Sequence, residues 1–400
     1  PLVTWHAVSR PTSSRVRIGW WRWVPLLLTA LTRAVWLTRF PTDPIGQIDP
    51  EGFNLLAVNF LDGNGFAIGW EPPFCPTAVR TPLYPVFVAG VYQLLGRDPM
   101  IVVLLQILLE VLTAAGLMAV CRHLSLSVSN RRAFAGRVGA TLRSLLVILP
   151  GLLYAINGLT PRFTGYLYAE NLLLLLMTLA LWTTIRAFGR PSATRLALVG
   201  GAWGTVLLTK PNVQYLVVGV GILLCGRVVQ LGRGYPMRRR GAVRLASFWL
   251  VLGVVVAPWL LRNRLTLGRW VLSTAFEENL ARVSAVAVQA ELAGVVVEPW
   301  TETWEDIYQD LEARALSRLE MSGDAGDDVT CDRLAQAQRQ VTTEAQRVVR
   351  EHMWLTIRLH LHGVLRGASD LGHQLWYRIL TGQSWATTGV VPNIWARMAW

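Results

Sequence analysis

The sequence predicts an all-α polytopic membrane protein, and three observations predict it. Apolar blocks recur along the chain, several of them near the roughly 20 residues that a helix needs to cross a bilayer. Hydrophobic residues make up 52% of the chain and charged ones 16%, too few charges to cover a soluble surface of this size. Arginines gather in the short connections between the blocks, which is how cytoplasmic loops are marked. That placement also accounts for the net charge of +13 without nucleic acid as a partner, since Lys210 is the only lysine.

Taken in order, the first span runs from about Trp21 to Phe40, with Arg15, Arg17 and Arg22 ahead of it, so the N-terminus is expected in the cytoplasm. It lacks a small-residue cleavage site and reads as an anchor rather than a removed signal. Further spans are expected at about Pro99–Val120, Gly139–Asn157, Gly165–Ile185, Leu196–Thr209, Val213–Val229 and Leu245–Leu261. Parity decides the segment Thr81–Gly96. If it crossed, three arginine-rich connections would lie outside; if it does not, all three are cytoplasmic. It is therefore expected to be re-entrant or interfacial. The Gln47–Phe66 stretch, the turn around Asn157–Asn171, the turn Thr209–Asn212 and the residues after Leu261 then share the outer face.

The stretch QIDPEGFNLLAVNFLDGNGF opens with two carboxylates. Asp49 followed by Pro50 and Glu51 suits a helix start, with Asp49 as N-cap and Glu51 near the positive end of the dipole. Phe53, Leu56, Ala57, Phe60 and Leu61 make one apolar stripe, and Gly63-Asn64-Gly65 ends the helix. Capping accounts for Asp49 structurally; chemistry is the competing reading. Arg80, just before the Thr81–Gly96 segment, suits either a phosphate or lipid headgroups. Glu170 stands at the outer end of a span, where an ionisable group calls for a partner or a function.

Gln106 and Glu110 lie four apart in one span and so share a helix face. Interhelical hydrogen bonding explains them; a proton or ion path is the alternative. Cys75, Cys121, Cys225 and Cys331 show no metal spacing and read as isolated packing cysteines. His360 and His362 fall on different faces of any helix and have no nearby metal-ligand partners. Of the 25 acids, 16 lie between Glu277 and Glu351, which marks that segment as extramembrane. Within it MSGDAGDDVTCD lacks the ordered ligands of a calcium loop. Trp354–Leu380, with Arg358, Arg366 and Arg378, reads as interfacial. Pro1 is no natural start and no clear final span precedes Trp400, so a piece of a longer chain is expected.

Five pieces together carry a resemblance: IDPEGFNLLAVNFLDGNGF, RTPLYPVFVAGVYQLLG, LYAENLLLLL, LLTKP and PWLLRNRLTLGRWVLSTAFEENL, spread in order over about Gln47–Leu280. They resemble the GT-C class of integral-membrane glycosyltransferases, in particular the protein O-mannosyltransferase and aminoarabinose transferase family. Pro50, which separates Asp49 from Glu51, departs from the paired acids often found there. The resemblance implies a GT-C fold with outer-face juxtamembrane helices in the first loop. It also implies transfer of a sugar from a polyprenyl-phosphate carrier to a lipid, glycan or protein acceptor, with inversion, on the extracytoplasmic face of a bacterial plasma membrane. A divalent cation (Mg or Mn) serves some members. By position, Asp49 and Glu170 match the catalytic acids, and Arg80, Lys210, Arg262, Glu51 and Tyr84 match substrate contacts. The expected organisation is a GT-C core over residues 1–265 with its first outer loop at 41–98, an acidic, largely helical insertion at 266–352, and an interfacial C-terminal part at 353–400. From a different class, a lipid or polysaccharide transporter of flippase type would use Glu110 instead; its usual internal repeat is not visible.

Overall fold

The computed structural model describes residues 20–39, 49–128, 136–157, 160–232, 238–295, 302–321 and 330–369. Apart from one two-residue hairpin, its regular structure is helical. In chain order the elements are α1 (Val24–Arg39), α2 (Phe53–Leu61), β1 (Ala67–Ile68), β2 (Cys75–Pro76), α3 (Leu83–Leu95), α4 (Pro99–Val128), α5 (Gly136–Ile156), α6 (Pro161–Thr164), α7 (Glu170–Gly189), α8 (Ala193–Thr209), α9 (Gln214–Gly232) and α10 (Arg238–Leu267). Then follow α11 (Ala275–Asn279), a π-helical turn at Leu280–Ala285, α12 (Val286–Leu292), α13 (Glu302–Met321), α14 (Cys331–Glu351) and α15 (Met353–Ser369).

Among the described residues, four helical stretches are long and apolar enough to cross a membrane: Pro99–Ser125, Glu170–Gly189, Pro211–Gln230 and Gly241–Leu267. They coincide with four of the seven expected spans. The other three form as helices, two of them shorter. With 16 residues in α1 and 17 in α8, the lengths are about 24 and 26 Å, against roughly 30 Å of hydrocarbon. Helix α5 has 21 residues, but Arg137 and Arg143 stand in its first half and Pro150 within it. Helix α3 has 13 residues, about 20 Å, and like α1 and α8 falls short of the hydrocarbon thickness.

The chain divides into two compact units. Unit 1 takes the residues up to Ala57 and Thr81–Arg262. Here α1 packs on α4 and α5, α4 on α5 and α7, and α7 on α8. Helices α8 and α10 approach closely because Gly200 and Gly204 face α10: a Cβ on Gly200 would stand 2.2 Å from the Phe248 carbonyl oxygen. Small residues four apart are what lets two helices meet when lipid supplies no hydrophobic drive.

Unit 2 takes Val58–Arg80 and the described residues from Asn263 onward. Its core gathers Ala281, Ala285, Val286, Tyr308, Leu311 and Val341 around the π-turn, α12, α13 and α14. The hairpin pairs Ala67 with Pro76 and Ile68 with Cys75, and the buried Asn59 amide donates to the carbonyls of Ala67 at 2.9 Å and Gly69 at 3.0 Å. The unit boundary thus falls inside the segment between α1 and α3. Backbone bonding explains this: Thr274 N–H donates to the Ala78 carbonyl at 2.9 Å, and the Ser273 hydroxyl donates to the Val79 carbonyl at 2.7 Å.

Cys75 and Cys331 form a disulfide across 256 residues, with their Cα atoms 5.1 Å apart. This corrects the reading of four isolated cysteines. Pairing over such a separation leaves no local spacing signal, and only the fold brings the two thiols together. Cys121 and Cys225 remain free. Arg15, Arg17, most of MSGDAGDDVTCD and the part of the interfacial segment beyond Ser369 lie outside the described residues.

Candidate functional site

Asp49 begins the site in unit 1. Its two oxygens accept from the N–H groups of Phe53 and Asn54, each at 2.7 Å. Helix α2 therefore starts at Phe53, three residues later than an N-cap at Asp49 would place it. The reason is Gly52, whose φ of +75° is open to glycine and closes a turn back to the Asp49 carbonyl. Asp49 reaches across that turn to the first free amides of α2, with Pro50 and Glu51 inside the turn.

Helix α2 is held against α3. The Phe53 ring meets Tyr84 edge-on at 4.7 Å, and the Tyr92 hydroxyl donates to the Asn54 side-chain oxygen at 2.6 Å. Tyr84 is fully buried and its hydroxyl donates to Gln106 Oε1 at 2.5 Å. Burial holds the phenol well above its ordinary pKa, and negative charge at Asp49, Glu170 and Glu51 adds to the shift. Tyr84 thus stays a neutral donor, and it lies within electrostatic reach of all three carboxylates chosen from the sequence. Its hydroxyl serves Gln106, so its contribution is to the wall of the site.

Below Tyr84 a buried polar network joins four helices. Gln106 Nε2 donates to the carbonyls of Thr164 at 3.1 Å and Tyr166 at 2.8 Å. Thr164 donates its hydroxyl to Glu110 Oε1, and Arg33 donates Nε to Glu110 Oε2 at 2.5 Å. Arg33 also donates to the Ala155 carbonyl at 2.9 Å, the Thr32 hydroxyl at 2.8 Å and the Thr160 hydroxyl. Both charged side chains are fully buried. Glu110 is thereby a structural ion pair whose oxygens are both engaged, which gives a transport path through it no support.

This network fixes the segment that delivers Glu170. Asn171 donates to the Phe163 carbonyl at 2.9 Å, and Glu170 opens α7. Lys210, at the C-terminal cap of α8, donates Nζ to Glu170 Oε1. Glu170 Oε2 is buried with no hydrogen-bond partner among the described residues. Arg262 on α10 is partly buried, its guanidinium 5.1 Å from the centroid of the Trp259 ring. In unit 2, Arg80 pairs with Glu278 at 3.8 Å, both partly exposed.

No family model, curated protein or solved structure matches the chain. The functional reading therefore rests on the residues themselves. Asp49, Glu51 and Glu170 all act electrostatically on Tyr84, and Lys210 is joined to Glu170, while Arg80 belongs to the other unit. A divalent cation, which the family resemblance allows, finds no group of three or more His, Cys, Asp or Glu donors among the described residues, and no step below uses one. Sequence reasoning missed Arg33. A signal existed: a lone arginine inside an apolar block and a lone glutamate inside another each need a partner, and each is the other's.

Proposed function

We propose that this chain is a membrane glycosyltransferase that moves a sugar from a polyprenyl-phosphate carrier to the hydroxyl of a lipid, glycan or protein acceptor, with inversion. What supports this reading is that Asp49, Glu51 and Glu170 all act electrostatically on one buried tyrosine and that Lys210 pairs with Glu170, in a chain with helices suited to lipid. In the reaction, the Asp49 carboxylate takes the proton of the acceptor hydroxyl as its oxygen attacks the anomeric carbon. The bond from that carbon to the phosphate oxygen breaks, and the polyprenyl phosphate leaves with the electron pair. Attack opposite the leaving group inverts the anomeric centre.

The leaving phosphate needs cations where its charge develops. Lys210 has three N–H donors and spends one on Glu170, leaving two for phosphate oxygens. Arg262 adds a guanidinium at the end of α10. The Glu170 Oε2 atom, buried without a partner, suits a sugar hydroxyl as donor. The test is to supply the chain, reconstituted in vesicles, with polyprenyl-phosphate-linked sugars and to follow release of polyprenyl phosphate. Release coupled to a product of opposite anomeric configuration is expected. Retained configuration in the product would overturn the single-displacement step.

A further inference from the structure

Helix α15 has two apolar faces, and among the described residues only one has a partner. Leu355 and Leu359 pack on the core of unit 2, and Thr356 is buried beside them. On the other side Met353, Trp354, Ile357, Leu361, Val364 and Leu365 are all exposed, Trp354 at 83% and Val364 and Leu365 each at 67%. At 3.6 residues per turn these six fall within an arc of about 120°, one continuous stripe. Arg358 borders the stripe and is anchored to Glu291. His360 stands on the other border, its Nδ1 2.8 Å from the Thr356 carbonyl and its Nε2 3.4 Å from the Ser284 hydroxyl.

Charge decides what covers this stripe. From Met353 to Ser369 the sequence carries Arg358, Arg366, His360 and His362, and not one acid. An apolar stripe without acids, with a tryptophan at its start and an arginine along one border, is the composition of a helix lying in the headgroup layer of a bilayer. The same unit opens with the last turn of α10, whose stretch Gly241–Leu267 is apolar enough to span. Exposed Leu265 and Trp270 follow directly at that end. Unit 2 thus already includes the end of a helix apolar enough to span, and α15 adds a second surface suited to lipid.

We propose that α15 is a membrane-surface helix, its outer stripe seated among the acyl-chain ends of a bilayer while its inner face closes the core of unit 2. The helix would hold unit 2 to the bilayer at a second place besides α10. This inference is independent of the reaction proposed above.

Nitroxide labels at Leu361→Cys and, separately, Val364→Cys test it, in a chain whose free cysteines are replaced (Cys121→Ser, Cys225→Ser). The full chain is reconstituted in vesicles of phosphatidylglycerol and phosphatidylethanolamine, and Gln338→Cys, exposed on α14, serves as the water-facing reference. Collision with a water-soluble nickel chelate should fall about fivefold or more below the reference at both positions, with oxygen collision raised, as expected for burial below the headgroups. Nickel access equal to that at Gln338 would overturn the proposal. Exclusion of both reagents would do so too, since protein would then cover the stripe. Dipolar broadening between labels would assign it to a second copy of the chain.

Discussion

Removing Glu110 should cost the protein far more than removing a surface acid, and the buried pair sets the magnitude. Arg33 and Glu110 are both inaccessible to water, and Arg33 has Glu110 as its charge partner at 2.5 Å. Glu110→Ala leaves a guanidinium in an apolar bundle with only neutral acceptors from Ala155, Thr32 and Thr160. Breaking one side of such a pair costs about 3–5 kcal/mol. Replacing both charges with apolar groups, Arg33→Met with Glu110→Met, removes the uncompensated charge and should recover most of that loss, within roughly 1–2 kcal/mol of the parent. The assay is unfolding in mixed micelles titrated with a denaturing detergent, on the parent, both single Met variants and the double variant. A coupling energy of several kcal/mol is expected. Additive single losses would refute the pair, and a Glu110→Ala variant as stable as the parent would refute its burial.

Three further predictions follow from local geometry. Gly200→Ala should destabilise the bundle by about 1–3 kcal/mol or more, because its Cβ would meet backbone, whereas Gly201→Ala, with its nearest contact 3.5 Å away at Val251, should be neutral or slightly stabilising; equal thermal melts would contradict the close α8–α10 approach. Denatured, unreduced chain should titrate two thiols, Cys121 and Cys225, and four after reduction; four without reduction would contradict the disulfide. Glu344, buried between Arg318 at 2.5 Å and Arg347 at 2.6 Å, has its carboxyl held below its ordinary 4.5, first by the Arg347 hydrogen bonds, and against the opposing effect of burial. A depressed folded pKa means the stabilisation is whole above the unfolded carboxyl range and is lost as pH falls through the folded value. Glu344→Gln should therefore melt below the parent at neutral pH, with the gap closing on acidification; a gap independent of pH would dismiss the coupling.

What was legible in the sequence was whatever short-range pattern decides. The end of α2 at Gly63-Asn64-Gly65 follows from glycine's access to positive φ, found at +82° and +77°. The four stretches long and apolar enough to span follow from hydropathy. Asp49 as a helix-capping acid was legible too, but the start of α2 was not, because the left-handed turn at Gly52 shifts it past Pro50 and Glu51. Contacts between distant segments left little trace. Cys75 and Cys331 are joined by the fold alone, and Lys210 and Glu170 were assigned separate tasks although they neutralise one another. The boundary between α1 and α3 depends on Ala78 and Val79 meeting Ser273 and Thr274, nearly two hundred residues away in the chain, which no local pattern encodes.

The central claim is that Asp49 takes the acceptor's proton, and Asp49→Asn tests it most directly. Asparagine keeps one side-chain oxygen for the Phe53 amide, so the loss of capping should be only about 1 kcal/mol and α2 should persist. Transfer from a polyprenyl-phosphate sugar should nevertheless fall by about 10²–10⁴-fold, the usual contribution of a positioned base, while donor binding survives. Transfer at the parent rate in a variant that folds and binds donor would contradict the account.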